Sequence, residues 1–465
     1  MDLFRKKDIA ESLDNESHLT RCLTVFDLTF LGVGAIIGAG IFILTGIVAA
    51  TYAGPAIILS YVVAGFACAF AALSYAELSA AIGGCGSAYG YAYAGFGELI
   101  AWIVGWDLLL EYAISVSAVS VGWSGYANDF LLSMKIHIPK YFLHGPLDGG
   151  ILNLSAFTII AALTGLLIVG VKSSTRFNNT MVMIKLSVIV LFIAIASTNV
   201  RLENWSSFMP FGWNGVMKGA SVIFFAYIGF DAVSTAAEEA INPQRDLPRG
   251  IIGSLIICTV LYIVVSGLLT AIAYYPTLND SSPISHSLLV LGYKTAAGLI
   301  GVGAVAGLTT VMLVLFYGLT RIFLAMSRDG LLPRFFSKTN EHTKTPVRII
   351  LLCGILMASL SAMVPIGDLA ELVNIGTLFA FIVVCSGVLY LRRTKPEMPR
   401  PFKTPGMPLV PILGIISCLY LIFNLPWITM IRFAIWMFIG LIIFFVFSQR
   451  NSILTMESDC IRKQG

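Results

Sequence analysis

The chain has 465 residues, of which 57% are hydrophobic and 12% charged, with a formal net charge of +4. Soluble proteins carry about 25% charged residues, so a soluble fold of this length is excluded for want of charge to cover its surface. A P-loop, a zinc signature and a nucleophile elbow are all missing, which removes the usual footing for ATP-driven transport and for enzymatic chemistry.

In chain order, the segment before residue 21 is charged and polar and lacks the apolar core of a cleavable signal. Apolar segments then follow at 25–49, 55–81, 88–123, 151–171, 178–199, 214–239, 249–275, 296–325, 346–364, 368–390, 408–427 and 429–448. Each is near the roughly 20 residues needed to cross about 30 Å of hydrocarbon, or longer. The expectation is an all-α polytopic protein of twelve transmembrane helices forming one membrane domain over 1–465. Punctuation falls between spans, at Gly83-Gly84-Cys85-Gly86, Asn242-Pro243, Thr345-Pro346 and Pro399 to Pro408. The eight cysteines have no CxxC pair and no ligand spacing, so they read as small buried hydrophobes, and no metal or cofactor is expected. The five histidines are dispersed outside the spans.

An even number of spans puts both termini on one side. That side collects Arg5, Lys6, Lys7, Arg21, Lys172, Arg176, Arg245, Arg249 and the basic residues of the 8–9 and 10–11 connections and the tail. Only Lys135, Lys140, Arg201, Lys218, Lys294 and Arg432 fall opposite. The positive-inside rule therefore places both termini in the cytoplasm of a multi-pass plasma (bacterial inner) membrane protein. The basic excess follows topology, and no nucleic-acid partner is expected; membrane lipid is.

Two spans depart from plain apolar helix. The first reads Gly34-Ala35-Ile36-Ile37-Gly38-Ala39-Gly40-Ile41-Phe42, and the sixth reads Phe224-Phe225-Ala226-Tyr227-Ile228-Gly229-Phe230-Asp231. Close packing at glycine explains either one alone. Together they are the first spans of two consecutive five-span blocks, about 25–199 and 214–390, with further helices at about 408–448. Odd-numbered repeats inserted in series have opposite topology and set broken helices around a midplane site. A zwitterion suits such a site, since its carboxylate takes amides at a half-helix N-terminus and its ammonium takes freed carbonyls.

Several motifs carry a specific resemblance: Gly34 to Phe42; Tyr75-Ala-Glu-Leu78; Gly86-Ser-Ala-Tyr-Gly-Tyr91 with Gly97-Glu98; Phe224 to Asp231; Glu238-Glu239; Asn242-Pro243; Asp246-Leu-Pro-Arg249; and Ala325-Met-Ser-Arg-Asp-Gly-Leu-Leu-Pro333. On these, the chain resembles the amino acid–polyamine–organocation superfamily, within its branch of bacterial homologues of cationic amino acid transporters. The resemblance implies a LeuT-like fold of two inverted five-helix repeats plus two C-terminal helices, binding an amino acid between spans 1, 3, 6, 8 and 10. It places the substrate carboxylate at Ile37, Gly38, Ala39 and Gly40 and the ammonium at carbonyls of Phe225, Ala226 and Ile228. The Phe225 ring would act as a lid, and Glu111 and Met312 would face the side-chain pocket.

Lys185 is an ionisable group inside a span, nine residues past Arg176 and so roughly 13 Å into the bilayer at 1.5 Å per residue, which makes snorkelling to the interface awkward. In proton-coupled relatives of the family a span-5 lysine replaces a sodium ion between spans 1, 5 and 8. Lys185 matches that position, with Thr309 and Thr310 as neighbouring hydroxyls. This implies a proton as the coupling ion, Lys185 as the protonation switch and Asp231 as a second titrating group. Other carboxylates have structural readings: Glu77 and Glu98 tie loops, Glu238 and Glu239 cap helices or pair with arginine in a cytoplasmic gate, and Asp107 partners Glu111.

The expectation is thus a secondary active amino acid transporter, most simply a proton symporter working by alternating access. An exchanger of the same fold and a sodium symporter are the alternatives. A receptor lacks an added soluble domain, and a channel lacks a ring of repeated carbonyl or charged motifs. The choice of amino acid stays open, as does whether a lipid or a small accessory membrane protein lies in the first span's groove.

Overall fold

Amides that cannot reach water must be paired within their own segment, which in a bilayer favours helices. A computed structural model describes residues 5, 21–82, 87–133, 136–146, 149–280, 282–364, 366–425 and 427–455. These are helical apart from their connections and one bridge between Leu23 and Ala240. The Gly83 to Gly86 punctuation, Lys6, Lys7, Lys135, Arg462 and Lys463 lie outside the described residues.

The main helices are α1 (Val25–Ile36), α2 (Ile57–Ile82), α3 (Glu98–Ser133), α4 (Leu154–Val169), α5 (Val171–Ser197), α6 (Gly212–Ile223), α7 (Pro243–Ile272), α8 (Lys294–Arg328), α9 (Val347–Met363), α10 (Ile366–Thr394), α11 (Leu409–Phe423) and α12 (Trp427–Ile443). Among the described residues, eight helical stretches are long and apolar enough to cross a membrane, with Val25–Ile82 counted once; α4, α9 and α11 are shorter apolar helices. Within Val25–Ile82 the chain is interrupted at Gly54, whose φ of +61° precedes Pro55.

Two boundaries differ from expectation for the same reason. Residues 88–123 are not one helix: Ala88–Gly95 ends before Gly97, at φ +99°, and α3 starts at Glu98. Gly170, at φ +129°, separates α4 from α5, so Lys172 and Arg176 belong to the first turns of α5 rather than to a loop. In both places a glycine takes a left-handed conformation that other residues rarely adopt.

Packing follows a five-helix interval: α2 lies on α7, α3 on α8 and α4 on α9. α1 packs on α7, α5 and α8, while α10 packs on α3, α2 and α11. α12 is held to α3 by stacked indoles: Trp102 lies 5.6 Å from Trp106, which lies 4.4 Å from Trp436. Only 11% of the apolar window containing α12 is buried, leaving its outer face to lipid.

Candidate substrate site at two helix breaks

A capping box between Thr24 and Asp27 starts α1, which ends at Ile36 because Ile37 is extended, at ψ 101°. The chain resumes as a π-helical turn, Gly40–Leu44, and continues through Thr45–Val48 and Ala49–Ala53. A helix end leaves carbonyls without intrahelical partners, and each needs a donor at this depth. Lys185 supplies most of them. Its Nζ, on a fully buried side chain, shares its three protons among four acceptors, the carbonyls of Val33 (3.0 Å), Gly34 (3.0 Å) and Ile37 (2.9 Å) and Thr310 Oγ1 (2.8 Å). The amine therefore caps the negative end of α1 from the neighbouring α5. Tyr262 of α7 donates to a further carbonyl, Ile36 O, at 2.7 Å.

The second break follows α6. A tight helical turn, Phe224–Tyr227, ends at extended Ile228 (ψ 134°), then Gly229 at φ +118°, before the turn-like helix Asp231–Glu239. Gly229 is required twice over, since a side chain there would also meet Ala35, its carbonyl carbon 3.0 Å away. Ala226 O accepts from Tyr262 at 2.8 Å. The Asp231 carboxylate accepts from Tyr112 of α3 and from the Gly229 amide. The breaks meet at Gly40, where an added methyl would lie 2.2 Å from Ala226 Cβ.

A cavity opens where they meet, lined by Ala35, Ile36, Gly38, Ala39, Gly40, Ser115, Val119, Phe225, Ile228, Val311 and Leu315. Of the residues expected at the substrate, Gly38, Ala39, Gly40, Phe225 and Ile228 are brought together there. Ile37 and Ala226 stand behind the lining, their carbonyls engaged by Lys185 and Tyr262.

Glu111 and Met312 do not line this cavity. Glu111 is buried beside Gly376 of α10, and among the described residues neither of its carboxylate oxygens, nor those of Asp107, has a hydrogen-bond partner. Asp107 is thus not its hydrogen-bonded partner. Ser115 and Val119, one and two turns further along α3, take its place, and Val311 and Leu315 take that of Met312 on α8. For Met312 a slip of one position suffices, because one residue rotates a helix face by about 100°; Glu111 instead lies on the face of Ser115 and Val119, one turn short of the cavity. The four lining residues share an i, i+4 spacing on each helix, a signal that was available but undistinguished within helices apolar all round. Thr310 joins Lys185, whereas Thr309 turns away and accepts from Trp123 Nε1 at 3.0 Å.

Further contacts join the two breaks to the helices around them. The Cys22 and Leu23 amides both donate to Glu239 O at 2.9 Å, tying the start of α1 to the end of the second break. Buried Arg321 pairs with Glu239 at 2.8 Å, and Arg328 pairs with Glu238 at 3.1 Å. Glu77 accepts from Arg392 (2.6 Å) and the Thr404 amide (2.7 Å), fastening the loop after α10 to α2.

A body of apolar helices with two interrupted helices around a cavity, and ion pairs joining the second break to α8, is the architecture expected of a carrier. A family model described as amino acid permease matches residues 23–448, and the chain belongs to that family. It is a multi-pass plasma-membrane transporter and not an enzyme. Among its relatives, the branched-chain amino acid permease BcaP of Bacillus subtilis (strain 168) is 50% identical, covering 97% of this chain and 98% of that protein. The methylthioribose transporter of the same organism is 48% identical, covering 97% and 99%. The vacuolar cationic amino acid transporter 4 of Arabidopsis thaliana is 38% identical, covering 83% of this chain and 65% of its own length.

Proposed function

We propose that this permease carries neutral, apolar amino acids by proton-linked symport. Its body would be twelve spans, arranged as two inverted five-helix repeats with α11 and α12 added. The observation that carries the reading is the cavity itself. Its ends are the backbone of two broken helices, and its side-chain lining is Val119, Val311, Leu315, Phe225 and Ile228, with Ser115 the one polar side chain. The amides of Gly38, Ala39 and Gly40 stand at the start of a half-helix, where a carboxylate is favoured. The carbonyls at Phe225 and Ile228 suit the ammonium. A lysine or arginine side chain would bury its charge among apolar groups without a partner, at a cost of several kcal/mol. The pairing of α2 with α7, α3 with α8 and α4 with α9 supports the repeat, and the 50% identical relative named for branched-chain amino acids supports the substrate.

Coupling is assigned to Lys185. The three carbonyls and one hydroxyl around its Nζ form a set that would also suit a sodium ion, and the ammonium fills it. Loss of its proton removes one donor from the end of α1, so protonation and the geometry of the first break are linked. No bound cofactor is required. A second reading, a neutral thioether sugar, is favoured by the 48% identical relative named for methylthioribose. Such a molecule has neither carboxylate nor ammonium to offer the broken backbone, so it ranks below.

Uptake of a labelled panel into proteoliposomes decides the matter. Leucine, isoleucine and valine are expected to accumulate under an inward proton gradient without sodium, and to be displaced by one another rather than by arginine. Accumulation of methylthioribose alone would replace the reading, and strict sodium dependence would overturn the coupling.

A further inference from the structure

Tyr262 projects from α7 between the two breaks, and its ring is fully buried. Its hydroxyl oxygen lies 2.7 Å from Ile36 O, at the end of α1, and 2.8 Å from Ala226 O, inside the second break. A phenol has one proton, so one donor serves two carbonyls that belong to different broken helices. The ring is held from behind by Tyr61 (centroids 5.1 Å apart) and Tyr227 (5.3 Å). The Tyr227 hydroxyl donates to Tyr61 O at 2.9 Å, and Tyr61 approaches Gly40 O at 3.2 Å. Ile36 lines the cavity directly, and Ala226 is flanked by Phe225 and, two residues on, Ile228, which also line it.

We infer that Tyr262 is the positioning residue for recognition of the substrate's α-amino group. It takes the carbonyls of Ile36 and Ala226 out of play and, by bridging them, sets the spacing of the two breaks. The backbone at Phe225 and Ile228, which both line the cavity, is thereby held where an ammonium can meet it. Tyr262 acts through the backbone and does not touch the substrate. The inference rests on the amino acid reading given above.

The test compares leucine with 4-methylpentanoate, the same molecule without its amino group, as competitors of labelled leucine uptake in proteoliposomes. The wild-type protein is expected to prefer leucine strongly. In Tyr262→Phe the two carbonyls lose their shared donor, and the half-saturation concentration for leucine is expected to rise roughly tenfold, the size of one lost buried hydrogen bond. That for 4-methylpentanoate moves little, so the preference shrinks. A merely structural role would weaken both competitors alike. Replacing Tyr262 by 4-aminophenylalanine puts a two-proton donor at the same place, one proton for each carbonyl, and is expected to keep the preference; this variant carries the test if Tyr262→Phe fails to fold. A folded Tyr262→Phe protein with the wild-type preference, or a folded 4-aminophenylalanine protein without it, would overturn the inference alone. Wild-type protein that takes up no leucine would overturn the function reading, and this inference with it.

Discussion

At the scale of single residues, Lys185 does the most. Four acceptors converge on its Nζ, and a buried acceptor left without its donor costs about 1–3 kcal/mol. Lys185→Ala is expected to lower thermal stability and to abolish the response of uptake to a pH gradient; gradient-driven accumulation persisting in this variant would remove the residue from the coupling mechanism. Thr310→Val should share part of that loss, and Thr309→Val much less of it, because only Thr310 meets the amine. Gly40 gives a sharper steric test. A methyl there would sit 2.2 Å from Ala226 Cβ and 2.5 Å from its Cα, so Gly40→Ala should separate the two breaks and cut leucine uptake by more than about tenfold, judged against costs of 1–3 kcal/mol for overpacking.

Lys185 was legible from sequence because a charge inside an apolar run has few explanations. Tyr262 was not, since an aromatic hydroxyl in a membrane helix leaves no such trace, and its role depends on backbone groups that only the fold exposes.

At the scale of elements, both breaks were readable because two apolar segments carry glycines that depart from a plain apolar helix. The register and rotation of the helices facing them were not. α3 and α8 are largely buried along much of their length, so no polar face marks which residues look inward, and Glu111 and Met312 were placed at the cavity where Ser115, Val119, Val311 and Leu315 stand. The gate is an element-scale feature too, joining the end of the second break to α8. Because Arg321 and Glu239 are both buried, removing one strands the other, at roughly 3–5 kcal/mol. Arg321→Ala is expected to reduce thermal stability by an amount of that order, and Arg321→Met combined with Glu239→Leu to recover much of it. A single variant as stable as wild type would show that the pair is solvated in the resting protein.

At the scale of the whole molecule, an all-helical fold rich in apolar helices followed from hydropathy, whereas joints at Gly97 and Gly170 depended on backbone conformations that hydropathy does not encode. The five-helix interval in packing gives alternating access a physical basis. In the proposed reading, two similar halves of opposite orientation would exchange roles around one cavity. Such a cycle runs as symport only if substrate movement is tied to a proton, and as exchange if the loaded carrier alone can reorient.

Net uptake therefore tests the central claim most directly. Proteoliposomes empty of amino acid, free of sodium and given an inward proton gradient should accumulate labelled leucine above its external concentration, and should lose that accumulation when the gradient is collapsed. Uptake that appears only when the vesicles are preloaded with amino acid, and ignores the gradient, would contradict the account.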